Sequence, residues 1–305
     1  WIAAVNRSAI YFLVAVVVTV LLGRERRLRS QVQQQKHQLD ELEAVRRALT
    51  PAEVPVRPGL EIATCFIPAE GLVAGDFFLV ASGPMNTTTM AVGDVVGHGL
   101  AAARWASYVR ALLATFASFT SDPAQLLQLT NTALTERSDM TGKFVTAVCV
   151  NVSPLGGQLS WASAGHPPPW MLDSGEALTG GRRSVPLGLM AGNLGLKAGS
   201  CTLPPGAGLL LFTDGLIEGR SADRDTSVPL ALFGEERVRK VLATHRDGSA
   251  HQVARGLRTS IEDFTGGALA DDVCMIVCRL TAVSSGSTDC PPNQVQRSPL
   301  SVPFD

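Results

Sequence analysis

Four aspartates stand where apolar runs begin or end: Asp76 in AGDFF, Asp94 in GDVVGHG, Asp214 in FTDGLIEGR, and Asp271, the first of a pair, in ADDVCMIV. One acidic residue beside a strand is ordinary. A carboxylate at each of four strand ends, three of them next to glycine, asks for more than solvation. Carboxylates are hard oxygen ligands, and with no His or Cys in the set they point to two Mg²⁺ or Mn²⁺ ions rather than zinc. Asp94 follows the apolar stretch Ala91-Val92, and Gly93, Gly97 and Gly99 let the chain turn sharply behind it. A turn of that kind exposes backbone oxygens, so the Asp94 carboxylate is placed to bridge two cations while the carbonyl of Val95 ligates one of them.

The elements that must hold these groups are short strands interleaved with helical pairs. Leu60–Ile67, Met90–Val92, Phe144–Val152, Gln158–Ala162, Gly208–Phe212 and Val273–Leu280 read as strands from their β-branched content, alternation and Gly, Pro or Ser boundaries. Leu100–Phe119 reads as a helix with Trp105, Val109, Leu112 and Phe116 on one stripe. A second helix starts at Asp122-Pro123 with Gln125 in the capping-box position, and carries Leu126, Thr130 and Ala133 inward. A later pair comprises Glu235–His245 and a helix capped by Ser249 and Gln252, with Val253, Leu257, Ile261 and Phe264 facing the core. Helix pairs inserted between runs of strands imply an α/β sandwich, not a doubly wound sheet. If the last two strands are antiparallel neighbours, Asp214 and Asp271 lie side by side.

At 305 residues and 46% hydrophobic content, the chain is long enough for one large catalytic domain with appendages. A formal net charge of −1 supplies no basic field, which argues against nucleic acid as a partner. Cys65, Cys149, Cys274 and Cys278 sit in apolar runs without a CxxC pair and read as reduced core thiols.

The ends differ from the middle. Ala9–Leu22 is uncharged and is followed by Arg24, Arg26, Arg27 and Arg29. Residues 1–23 are therefore expected to form a transmembrane segment, with the rest of the chain on the cytoplasmic side of a cell membrane. A cleaved signal peptide is the alternative, but no small-residue cleavage site separates the apolar run from the arginines. Residues 24–50 lack Gly and Pro, and Leu28, Val32, Gln35, Leu39, Leu42, Arg46 and Leu49 recur at heptad spacing. That segment reads either as a marginal two-stranded coiled coil, able to join a homodimer, or as a solvated helix without a partner. Pro51, Pro55 and Pro58 close it, residues 51–281 form the expected catalytic domain, and the Ser-, Pro- and Thr-rich residues 282–305 read as disordered.

IPAEGLVAGDFFLV, AVGDVVGHGLAAA, FVTAVCV, SAGHPPPW, VPLGLM, LLLFTDGLIEGR, FGEERV and ADDVCMIV occur here in an order and spacing that resembles PPM-type (protein phosphatase 2C-like) serine/threonine phosphatases. The resemblance is to the bacterial stage II sporulation E and sigma-B regulator branch, and it covers about residues 49–280. It implies an antiparallel β-sandwich flanked by helical pairs, with a binuclear Mn²⁺ or Mg²⁺ centre at one end. By the same resemblance Asp94 bridges the two ions, Asp214 and Asp271 complete one, and Asp76 with the Val95 carbonyl serves the other. It implies hydrolysis of phosphoserine or phosphothreonine by a metal-activated water, with a phosphorylated anti-anti-sigma-type protein as the usual substrate. The chain departs from the family pattern at Ala74-Gly75, where two glycines are usual, at Leu79, where an acidic residue is frequent, and at Ala270, where a basic one is. Two readings remain for His98, an auxiliary donor to phosphate or a residue ordering the glycine loop, and two for Asp272, an outer ligand or a strand cap. His166, ahead of three prolines, reads as structural. The rival functions are a catalytically silent module binding the same partner and a hydrolase of small phosphoesters.

Overall fold

A computed structural model describes residues 24, 25, 29, 33, 56–69, 75–97, 99–137, 142–182, 184–222 and 231–281. Among the described residues nine strands build two sheets. β1 (Leu60–Ile67), β6 (Trp170–Met171), β8 (Gly208–Phe212) and β9 (Val273–Leu280) form a four-stranded sheet in the order β1-β9-β8-β6. β2 (Phe77–Ser82), β3 (Thr88–Val95), β4 (Val145–Val152), β5 (Gln158–Ala164) and β7 (Gly199–Thr202) form a five-stranded sheet in that order. Neighbouring strands pair antiparallel throughout, with Phe212 opposite Met275 and Asp94 opposite Thr146.

The central strands are apolar on both faces because both faces are covered, and the period of two then sorts their residues between layers. In β9, Val273, Met275 and Val277 pack under one helix pair, whereas Cys274, Ile276 and Cys278 pack between the sheets. In β4, Val145, Ala147 and Cys149 meet the other helix pair, and Val148, Val150 and Val152 meet the opposite sheet. The molecule is therefore a four-layer sandwich with three apolar seams. Cys149, Cys274 and Cys278 are buried free thiols within these seams, as expected.

The first helix pair is α1 (Leu100–Ala117) and α2 (Pro123–Thr135), on the five-stranded sheet. A short α3 (Gly215–Glu218) follows β8, and α4 (Gly234–Thr244) with α5 (Ala250–Thr265) covers the four-stranded sheet. Ser249 and Gln252 form the expected capping box with both bonds present. At α2 the cap differs: Asp122 accepts from Ala124 N at 2.9 Å, but the Gln125 amide oxygen takes the Thr120 hydroxyl instead of reaching back to the cap. Leu79 is buried against α1 and α2, so an apolar residue suits that position.

The crossover from one sheet to the other follows from sequence. β5 ends at Ala164, Gly165 and His166 follow, and Pro167, Pro168 and Pro169 have no N–H to offer a ladder. The chain leaves the five-stranded sheet there and re-enters the other as β6 at Trp170.

The membrane expectation is corrected. Among the described residues no helix is long and apolar enough to cross a membrane. The segment expected to do so, 1–23, lies outside the described residues. The physical weakness is its length, since Ala9–Leu22 as a helix covers about 21 Å against ~30 Å of hydrocarbon. Placement in a cell membrane with a cytoplasmic catalytic domain is withdrawn. Of the linker, Arg24, Glu25, Arg29 and Gln33 are described; they are helical and exposed, and Arg29 pairs with Glu25 at 2.5 Å. The remaining linker positions and 282–305 lie outside the described residues.

Candidate metal centre

The strand period decides which way the acidic residues face. In β3, Met90 and Val92 lie between the sheets while Ala91 and Val95 face the helices, so Asp94 shares the inter-sheet side. In β2, Phe78 and Val80 are on that side, which gives the same direction to Asp76 just ahead of the strand. Both carboxylates therefore enter the end of the inter-sheet seam from one sheet. From the other sheet come Thr213 and Asp214 after β8, and Asp271 and Asp272 before β9.

The result is two tiers. Asp76, Asp94 and Asp272 form an inner tier, half-buried or buried, while Asp214 and Asp271 stand exposed at the rim. Thr213 Oγ1 donates to Asp76 Oδ2 at 2.7 Å and in turn accepts from Cys274 N at 3.0 Å, clasping β8, β9 and the start of β2 together. The Ala69 amide donates to Asp272 Oδ1 at 2.6 Å, tying the chain beyond β1 to the head of β9. Asp272 thus has the capping role considered above. Asp271 Oδ1 accepts from the Asp272 amide at 2.8 Å.

Gly75 explains how the Asp76 segment comes so close to Asp94. Its carbonyl accepts from Val95 N at 3.2 Å. A Cβ built on it would lie 2.3 Å from the Val95 carbonyl oxygen and 2.7 Å from Asp94 Oδ1. Any side chain there would force the two apart. Behind Asp94, Gly97 and Gly99 take φ of +105° and +81°, the left-handed conformations that the sharp turn into α1 needs. His98 between them lies outside the described residues.

Electrostatics mark this end of the sandwich as strained without a cation. Burial and then the Asp94 charge push the Asp76 carboxyl well above its usual range. Burial, followed by the charges of Asp214 and Asp271, raises Asp94 to about 6, with the neighbouring Asp76 carboxyl acting in the opposite direction. Burial and the Asp271 charge raise Asp214. The groups acting on one another are all carboxylates, and two such charges ~4 Å apart repel by about 4 kcal/mol at an effective dielectric of 20. One proton per close pair relieves that repulsion, and a divalent ion does so more strongly. Among the described residues no three carboxylate, imidazole or thiolate groups already form a chelating cluster. Asp76, Asp94, Asp214 and Asp271 are gathered but not closed around a centre. The oxygen-only donor set, the cradle at Gly75 and the mutual repulsion all fit hard divalent ions.

His166 is buried and neutral, with burial lowering its pKa to about 4. Its Nε2 lies 3.1 Å from the Phe212 carbonyl, which can only accept, so Nε2 carries the proton. Nδ1 then accepts from Thr146 Oγ1 at 3.0 Å, on the residue opposite Asp94. The histidine joins the two sheets just behind the acidic tiers, the structural role its proline-rich setting indicates. Thr213 is the residue that sequence reasoning passed over. Its signal was the Thr-Asp-Gly run itself, a hydroxyl beside an expected ligand at a strand end.

Two antiparallel sheets sandwiched between helix pairs, with carboxylates converging at one end of the inter-sheet seam, define a protein phosphatase 2C-like fold. The family described as stage II sporulation protein E (SpoIIE) matches residues 84–281, and the chain belongs to it. It is a PP2C-type serine/threonine phosphatase, a hydrolase acting in signalling. Phosphoserine phosphatase RsbU of Bacillus subtilis (strain 168) is 23% identical over 253 residues, 83% of this chain and 72% of RsbU. The SiaA-PP2C domain of Pseudomonas aeruginosa superposes with a TM-score of 0.66 at 22% identity, covering 81% of this chain and 97% of that one. RsbX in complex with magnesium superposes with a TM-score of 0.55 at 18% identity, covering 75% and 99%.

Proposed function

We propose that the chain dephosphorylates phosphoserine or phosphothreonine on a small signalling protein of the anti-anti-sigma type, with two Mn²⁺ or Mg²⁺ ions as cofactors. Asp94, Asp76 and the Val95 carbonyl, together with Asp214 and Asp271, would hold the ions. The observation that carries this reading is the convergence of carboxylates from both sheets, where the charges of Asp94, Asp214 and Asp271 each raise the proton affinity of a neighbour. The magnesium bound by RsbX supports the choice of a hard ion. Ions held there supply an acidified water and offset the charge of the phosphoryl oxygens. The chain's own part is to orient. Thr213 fixes the Asp76 carboxylate, Gly75 lets Asp76 and Val95 approach, and His166 locks the two sheets so that the carboxylates stay in register. No side chain is needed as a covalent nucleophile.

The domain limits in this reading are 51–281 for the phosphatase, 24–50 for a helical linker through which two copies pair, and 282–305 for a tail. Helical Arg24, Glu25, Arg29 and Gln33 support the linker assignment. The function is tested by hydrolysis of an aryl phosphate by the chain with Mn²⁺, with Mg²⁺ and with excess chelator. Turnover that depends on the added ion is the expected result. Equal turnover in chelator would refute the metal-dependent reading.

A further inference from the structure

Beside the acidic end lies a cavity of opposite charge. About 340 Å³ in volume, it is lined by Ala101, Arg104, Trp105, Tyr108, Arg137 and Lys143. Trp105 and Tyr108, one turn apart on α1, meet edge to face with centroids 5.7 Å apart. The Arg137 guanidinium sits 4.7 Å from the Tyr108 ring centre and 5.2 Å from that of Trp105. The Lys143 ammonium is 5.4 Å from the same Trp105 ring. Two cations thus converge on one indole, and exposed Arg104 adds a third. Ring faces offset part of this repulsion, and among the described residues that line the cavity none is a carboxylate. Arg104 and Lys143 make no ion pair among the described residues. An entering anion would find Arg104 and Lys143 as its partners.

The cavity's position gives it a purpose. Lys143 precedes Phe144, whose carbonyl accepts from Val96 N at 3.1 Å, and Val145 is paired with Val95. Arg104 and Tyr108 lie on the first turns of α1, which leaves directly from the loop after Asp94. Counted along these elements, the cavity is on the order of 10 Å from the acidic tiers, about three residues of extended peptide. A local cationic patch at the rim attracts an acidic segment of an incoming protein and holds it beside the site.

We infer that this cavity is a docking subsite for acidic side chains that flank the phosphorylated residue of the protein substrate, about three residues away from it. The inference rests on the phosphatase reading and adds a sequence preference to it. Arg104 and Lys143 engage the substrate carboxylates, and Trp105 with Tyr108 forms the floor.

The test uses the full chain with Mn²⁺ and three substrates: an aryl phosphate too small to span the two sites, a phosphoserine peptide with Asp and Glu three residues to either side, and its Asn and Gln counterpart. The parent is expected to prefer the acidic peptide by roughly fivefold in kcat/KM through a lower KM, with the preference shrinking as salt is raised. R104Q and K143Q should each reduce that preference, and the double variant should abolish it, with the ratio of neutral-peptide to aryl-phosphate turnover preserved. An equal loss on both peptides would mean that the two residues only shape the fold, and the subsite would be overturned. So would a parent that treats the two peptides alike while hydrolysing the aryl phosphate. A parent that hydrolyses none of the three would instead sink the phosphatase reading itself, and the subsite with it.

Discussion

A single carboxylate shows the conflict between stability and function at this site. Asp94 is raised to about 6 from an ordinary 3.8, so at neutral pH it is ionised against the preference of its surroundings. The sign is destabilising for the metal-free protein above about pH 6, because the folded state would rather keep the proton than release it. Asp94→Asn removes that cost while fitting the same turn. Its metal-free form at pH 7.5 is expected to be more stable by about 1–3 kcal/mol in urea unfolding. Mn²⁺-dependent turnover should meanwhile fall roughly a hundredfold or more, since an amide cannot bridge two cations. A folded variant with near-parent turnover would defeat the two-ion assignment.

Between elements, His166 is the joint to test. Its two ring nitrogens bind one group from β4 and one from β8, and burial holds it neutral with a pKa near 4. The unfolded chain binds the proton at about 6.5, so this histidine favours the fold above that pH. Its contribution is lost as pH falls from about 6.5 toward about 4, by up to about 3 kcal/mol. His166→Ala should cost about 2–4 kcal/mol at pH 7.5, because it removes a buried ring and leaves the half-buried Thr146 hydroxyl and the Phe212 carbonyl without this partner. His166→Gln retains a donor and an acceptor, and is expected to recover part of the loss with a flatter stability profile between pH 6.5 and pH 4. A profile as steep as the parent's would assign the pH dependence to other groups.

Across the whole molecule, the seam between the sheets serves both stability and the site, because it ends at the inner aspartates. Leu211, fully buried there on β8, stands two residues before Thr213. Leu257 on α5 is equally buried, but under the helix layer. Leu211→Ala and Leu257→Ala should each cost about 2–5 kcal/mol in denaturant unfolding. Only the first should also raise the Mn²⁺ concentration needed for half-maximal turnover, since it loosens the strand that carries Thr213 and Asp214. Equal shifts in both variants would show that the site is insensitive to which seam is loosened.

The sequence by itself carried much of this. Gly208–Phe212 and Val273–Leu280 were legible to the residue because strands covered on both faces are nearly continuous apolar runs, and Ser249 with Gln252 announced a helix start through local bonding alone. Asp76, Asp94, Asp214 and Asp271 were visible as strand-end carboxylates for the same local reason. β2 was recognised only as the run after Asp76, and the short β6 and β7 were missed, because partners distant in sequence make those strands. The sorting of aspartates into an inner tier and a rim, the Thr213 bond to Asp76, and the gathering of Arg104, Arg137 and Lys143 around Trp105 came only with the tertiary structure. Local pattern fixes which way each strand's side chains alternate. Which strand ends meet, and so which charges must share one small volume, depends on how the two sheets are stacked, and no single stretch of chain contains that.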